Sequence, residues 1–281
     1  MEKILIALDG GSPGKDTLSF GIYLSRLTHS AITGIFLENQ PEAERPVVKN
    51  LYDGTYLGWE VDENSPEWQA KMEKITRNID QFRTYYNNHD IVTRVHRDEG
   101  MPVKELVTET RYADLLLLDP ETSFRDEFEK LPTSFVEEML TQAECPVIIA
   151  PASFLGIEEI VFTWDGSQSA VFAIKQFTYL FPQLKDKKAI IVQAGEAAER
   201  NYADKEKLQE WLEAHYVQIN WEQLTGEVGT ALFGYLLNKK KVFIVLGAYG
   251  RSQVSRFFRH SHAEKILKTI TQPIFITHSR I

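Results

Sequence analysis

A single cysteine, Cys145, stands among 281 residues, so no intrachain disulfide can form. It precedes an apolar strand and has no base partner nearby in sequence, which reads as buried filler rather than a nucleophile. No stretch approaches the roughly 18 uninterrupted apolar residues of a transmembrane helix. The opening "MEKILIALDGG" has a short apolar run that Asp9 ends at once; it reads as a first strand rather than a signal peptide. Together these features point to a cytoplasmic protein. Basic residues are in deficit, 31 Lys and Arg against 40 Asp and Glu, for a net charge of −9. An acidic surface argues against nucleic acid or an anionic membrane as the main partner, though not against a local basic pocket. No histidine–cysteine cluster is present either. His260 and His262 are two apart and would diverge on a helix, so no metal site is expected. What remains, 43% hydrophobic and 25% charged, is the composition of a soluble globular chain.

The chain repeats itself. "SFVEEMLTQAECPVIIA" (134–150) aligns without a gap on "SHAEKILKTITQPIFIT" (261–277). Each places a Ser twelve residues before a Pro that opens an apolar strand, with a helical apolar pattern between. "KILIALDGG" near the start resembles "EIVFTWDGS" after residue 158, making Asp9 and Asp165 equivalent. Asp9 to Ser134 spans 125 residues and Asp165 to Ser261 spans 96, so the first half carries a net excess of 29. The surplus is placed at about 38–68, a segment without sustained period and rich in turn residues, read as a long loop or lid. The halves are then 1–151 and 157–281, joined through "PASFLG".

Each half alternates strand and helix. Strands are expected near 3–9, 31–37, 91–96, 114–118 and 146–150, then 158–164, 187–194, 217–224, 241–247 and 273–278. Runs such as "DLLLLD", "VFIVLG" and "PVIIA" are apolar at nearly every position, as in strands covered on both faces. The pattern implies an α/β chain of two tandem doubly wound domains, each a five-stranded, mostly parallel sheet flanked by helices.

Ligands of such sheets bind beyond the carboxyl ends of the strands. There the second half carries Asp165 after its first strand, then "GAYGRSQVSRFFRHSH" from Gly247 after its fourth. Gly247 and Gly250 would let backbone approach a phosphate, and Ser261 would open the following helix, whose N-terminus favours an anion. Arg251 and Arg259 add charge, and Asp165 offers an acceptor for ribose or base. Plainer roles are equally open: a turn for the glycines and for Asp165-Gly166, a capping box for Ser261 with Glu264, and core packing for Trp164.

These residues resemble the nucleotide-binding members of the universal stress protein family, which carry Gly-x-x-Gly, nine residues, then Gly-Ser or Gly-Thr. Here Gly247-Ala-Tyr-Gly250 is followed by residues 251–259 and then His260-Ser261, with His260 in the place of a glycine. The resemblance covers the chain as a tandem pair, apart from the insertion. It implies a Rossmann-like fold, akin to the adenine nucleotide alpha hydrolases, whose halves meet as a pseudo-dimer through their last strands. It implies ATP or a related adenine nucleotide, with Mg²⁺ as a companion. Asp165 would meet the adenosine part, and the backbone of Val192 or Gln193 the base. Gly247, Gly250 and Ser261 would hold the phosphates, with Arg251 and His260 beside them.

In the first half "DPETS" stands where "GAYG" should fall. With Ser134 aligned on Ser261, Pro120 and Ser123 replace the glycines, and Asp119 and Glu121 would repel phosphate. One nucleotide site, in the second half, is expected. No general base and no P-loop lysine accompany it, so hydrolysis would be slow at most and no catalytic residue is assigned. Two rival readings stay open: an interaction module without nucleotide, using the insertion toward an unknown protein partner, and a nucleotidyl-transfer enzyme. Homodimerisation is a further expectation.

Overall fold

Ten of the apolar runs and their neighbours assemble into one sheet. The computed structural model describes every residue except 10–13, 40–43, 52–53, 62–63, 126–127, 195–201, 248–270 and 278–281. The first half runs β1 (Lys3–Leu8), α1 (Lys15–Thr28), β2 (Ala31–Asn39), β3 (Glu44–Leu51), β4 (Gly54–Val61), α2 (Pro66–Asn87), β5 (Thr93–Gly100), α3 (Pro102–Thr110), β6 (Leu115–Leu118), α4 (Ser134–Gln142) and β7 (Val147–Ile149). The second runs β8 (Glu159–Thr163), α5 (Gln168–Leu180), β9 (Lys188–Ala194), α6 (Tyr202–Glu213), β10 (Gln218–Leu224), α7 (Val228–Leu237), β11 (Val242–Gly247) and β12 (Ile274–Thr277). The helical pattern expected over 262–270 lies outside the described residues.

The sheet order is β10-β9-β8-β11-β12-β7-β6-β1-β2-β5. Within each half all pairings of this sheet are parallel. The halves meet where β7 and β12 run antiparallel, with Ile149 opposite Ile274 and Val147 opposite Ile276. Both halves therefore share one order, and the chain turns from one direction to the other at β1 and again at β8.

Burial explains the near-continuous apolar strands, since each face is roofed by helices. One face packs Ile4, Phe162, Trp164 and Phe243 under α1, α2, α5 and α6. The other packs Leu116, Val192 and Ile244 under α3, α4 and α7. The core crosses the junction: Phe20 of α1 stands edge-on to Phe243 of β11 at 6.2 Å, and Phe243 in turn meets Phe177 of α5 at 4.8 Å. The linker is docked as well, with Phe154 at 4.9 Å from Phe20 and 4.5 Å from Tyr23.

The segment read as a loop or lid contains a β-hairpin instead. β3 and β4 pair antiparallel as their own two-stranded sheet. Its register opposes Pro46 to Trp59, Val48 to Leu57, Arg45 to Glu60 and Lys49 to Tyr56. Pro46, Gly54 and Gly58 interrupt the alternation of the two strands, which is why no period was legible.

Candidate functional site

The carboxyl edge of the second half is organised by a turn and a close contact. Asp165 lies exposed just past β8. Its Oδ1 accepts the Ser167 N–H at 3.0 Å, and Gly166 takes a φ of 79° that favours glycine. Ser167 Oγ in turn accepts the Ala170 N–H at 3.1 Å and caps α5. Asp-Gly-Ser thus turns the chain and starts the helix.

Gly247 ends β11 opposite Thr277. A Cβ there would lie 2.5 Å from Ala170 Cα and 2.6 Å from Ala170 N and Ser169 O. Only glycine fits, because the strand tip and the first turn of α5 touch backbone to backbone. Asp165, Gly247 and the N-terminus of α5 are thereby gathered at one edge of the sheet. Val192 is an interior position of β9, between Thr163 and Glu222. Its side chain is buried and its carbonyl accepts the Trp164 N–H at 2.9 Å. The next residue, Gln193, is a polar side chain buried near the strand end. Trp164 is core, edge-on to Trp221 at 5.3 Å, and its indole N–H has no acceptor among the described residues. Gly250, Arg251, His260 and Ser261 lie outside the described residues.

The first half shows what its own side chains do at the equivalent place. Ile6 pairs with Leu117, and Phe162 pairs with Val245. Ile6 and Phe162 each lie three residues before the repeated Asp. Counting two further along each strand sets Asp119, not Pro120, against Gly247. The gapless alignment on Ser134 missed this by one residue, because Asp119 to Ser134 spans 15 positions and Gly247 to Ser261 spans 14. Asp119 Oδ2 accepts from Thr17 Oγ1 at 2.7 Å, and Oδ1 accepts the Glu121 N–H at 3.0 Å. Its Oδ2 is 2.5 Å from where a Cβ on Gly14 would stand. A carboxylate thus sits against the first turn of α1, a position its dipole favours.

A second carboxylate closes the other helix. Thr133 caps α4 by accepting the Val136 N–H, so Ser134 is the first helical residue. Glu129 Oε1 accepts from Ser134 Oγ at 2.7 Å and from Ser134 N–H at 3.2 Å, and Oε2 accepts from Ser123 Oγ at 2.5 Å. Burial works to raise the Glu129 pKa, but the Ser123 and Ser134 hydrogen bonds and the Arg125 charge outweigh it and hold the carboxyl below its ordinary range. At the end of β2, buried Glu38 pairs with Arg97. The serine aligned with Ser261 therefore holds an internal anion. Glu129 left no mark in the sequence, since an acidic residue five before a serine carries no period or motif.

Among the described residues no group of His, Cys, Asp and Glu could hold a metal ion, and no helix is long and apolar enough to cross a membrane. Cys145 is buried, and desolvation pushes its thiol up to about 12.

A parallel doubly wound sheet, repeated and joined edge to edge by its last strands, defines the class of architecture. It is the architecture of a universal stress protein from Archaeoglobus fulgidus DSM 4304, which superposes with a TM-score of 0.68 at 14% identity and covers 98% of each chain. A functionally unknown protein from Pseudomonas aeruginosa PAO1 gives a TM-score of 0.62 at 13% identity, over 99% of this chain and 92% of the other. At such identities the likeness establishes the fold. No family model matches the chain, and no curated protein matches it.

Proposed function

We propose that the chain is a universal stress protein-type protein that binds ATP or a related adenine nucleotide in its second half. The observation that carries this reading is the contrast between the two carboxyl edges. In the first half, Asp119 and Glu129 fill the strand tip and the α4 N-terminus with internal anions. In the second half, Gly247 leaves the strand tip bare of side chain, and exposed Asp165 stands beside it. A glycine edge with one carboxylate suits a ligand whose phosphates meet backbone N–H groups and whose ribose meets the acid. Asp165 would take ribose or base, Gly247 and Gly250 the phosphate approach, and Arg251, His260 and Ser261 the phosphate charge, with Mg²⁺ accompanying a triphosphate. These groups would bind and orient, and the proposed role is nucleotide sensing in a stress response.

Calorimetric titration with ATP and Mg²⁺, alongside AMP, tests it. About one equivalent should bind in the micromolar to millimolar range. Binding should be lost in Gly250→Arg and weakened in Asp165→Ala. Absence of heat across that range would refute the proposal and favour the interaction-module reading, for which the separate β3–β4 hairpin is the specific observation.

A further inference from the structure

A cavity of about 570 Å³ lies between α5 and α6, on the outer helical layer of the second half. It is in the size range of small-molecule sites. It is built by two matched stripes. Gln168, Val171 and Lys175 recur along α5, and Asp204, Leu208 and Trp211 recur along α6. Asp165, Val192 and Gly247 do not line it, although Gly166 and Ser167 at its mouth follow Asp165 directly.

The walls are apolar and held in place. Leu208 is buried, while Val171, Phe172 and Trp211 are half-buried, leaving part of each surface to the cavity. Trp211 is fixed from behind: His215 stacks on it at 4.1 Å and 23°, and Tyr179 meets it edge-on at 5.9 Å. The His215 ring is itself anchored by Nδ1 on the Trp211 carbonyl at 2.8 Å. An aromatic ring immobilised in the free protein loses little further entropy when a flat ligand lies on it.

The charge is unbalanced. Lys207 is paired with Asp204 at 3.3 Å, which neutralises that rim. Lys175 is half-buried beside Phe172 and makes no ion pair among the described residues. From Ser167 to Lys175 the α5 wall runs for about 12 Å at 1.5 Å per residue. We propose that this groove binds a planar aromatic monoanion about two rings long. Its rings lie between Phe172 and Trp211 and its anionic group pairs with Lys175. The site is separate from the nucleotide edge proposed above.

The test uses 8-anilinonaphthalene-1-sulfonate as the probe on the full-length folded chain, followed by fluorescence. Its neutral counterpart N-phenyl-1-naphthylamine reports the contribution of charge. The expected result is saturable binding of one equivalent. Trp211→Ala should weaken both probes. Lys175→Glu should weaken the sulfonate about tenfold or more and leave the neutral amine within about twofold. Far-ultraviolet circular dichroism on each variant confirms that the helices persist. Saturating ATP should leave the sulfonate bound. The proposal is overturned if binding is non-saturable, if Lys175→Glu affects both probes equally or neither, or if ATP displaces the sulfonate. Failure of ATP to bind at all would refute the nucleotide proposal and leave this one standing.

Discussion

Glu129 is the sharpest test of the reasoning about the first half. Its side chain is only 12% exposed and accepts three hydrogen bonds, two from Ser134 and one from Ser123. Hydrogen bonds to a charged group contribute about 1.5–3 kcal/mol each when isolated. Here they share one carboxylate that is partly desolvated, so the sum is well below additive. Glu129→Ala should cost about 3 kcal/mol, and Glu129→Gln, which keeps shape and one acceptor, about half of that. The pH dependence follows from the sign of the shift. The folded carboxyl titrates below its ordinary value of 4.5, so the native state favours the ionised form. That stabilisation is present above the ordinary value and is lost as pH falls through the lowered one. Urea unfolding of the parent and Glu129→Gln should therefore give a constant gap at neutral pH that closes in acid, where a protonated Glu resembles Gln. A cost under about 0.5 kcal/mol for Glu129→Ala, or a gap unchanged between neutral and acid pH, would refute the internal-anion account.

Gly247→Ala forces a methyl against the backbone of Ala170 and Ser169, which cannot swing aside, and should destabilise by about 2–4 kcal/mol in thermal or urea unfolding. Gly234→Ala is the control: it lies within α7 with nothing within 4 Å of an added Cβ, and should stabilise by about 0.5–1 kcal/mol. A neutral result at Gly247 would show that the contact relaxes and that its glycine serves a ligand alone. Cys145, buried with its thiol pushed up to about 12, should resist a thiol-reactive chromophore at pH 8 until the protein is unfolded; rapid labelling of native protein would contradict its placement.

The eight inner strands of the main sheet were readable in the sequence because burial on both faces leaves an apolar run that length and flanking residues identify as strand. Observed ends fall within a few residues of expectation: Val242–Gly247 against 241–247, and Thr93–Gly100 against 91–96. β5 was the poorest, since an edge strand such as "TRVHRDEG" has one open side and carries charge. The hairpin at 44–61 escaped for a related reason, being a two-stranded sheet broken by Pro and Gly.

The sequence by itself determined the repeat, the α/β alternation, the Asp165-Gly166 turn after β8 and the position of Gly247 at a strand tip. Those features are local: each is set by apolar periodicity or by the conformational demand of one or two residues. Tertiary structure decided the rest. Hydrogen-bond register, not residue counting, set Asp119 against Gly247. Loop geometry brought Glu129 onto Ser134, a contact that no spacing announces. Packing of α5 on α6 made a groove from residues as far apart in the chain as Lys175 and Trp211. Each of these depends on where separate elements come to rest against one another, and that is fixed by the burial of whole faces rather than by any residue's neighbours in the chain.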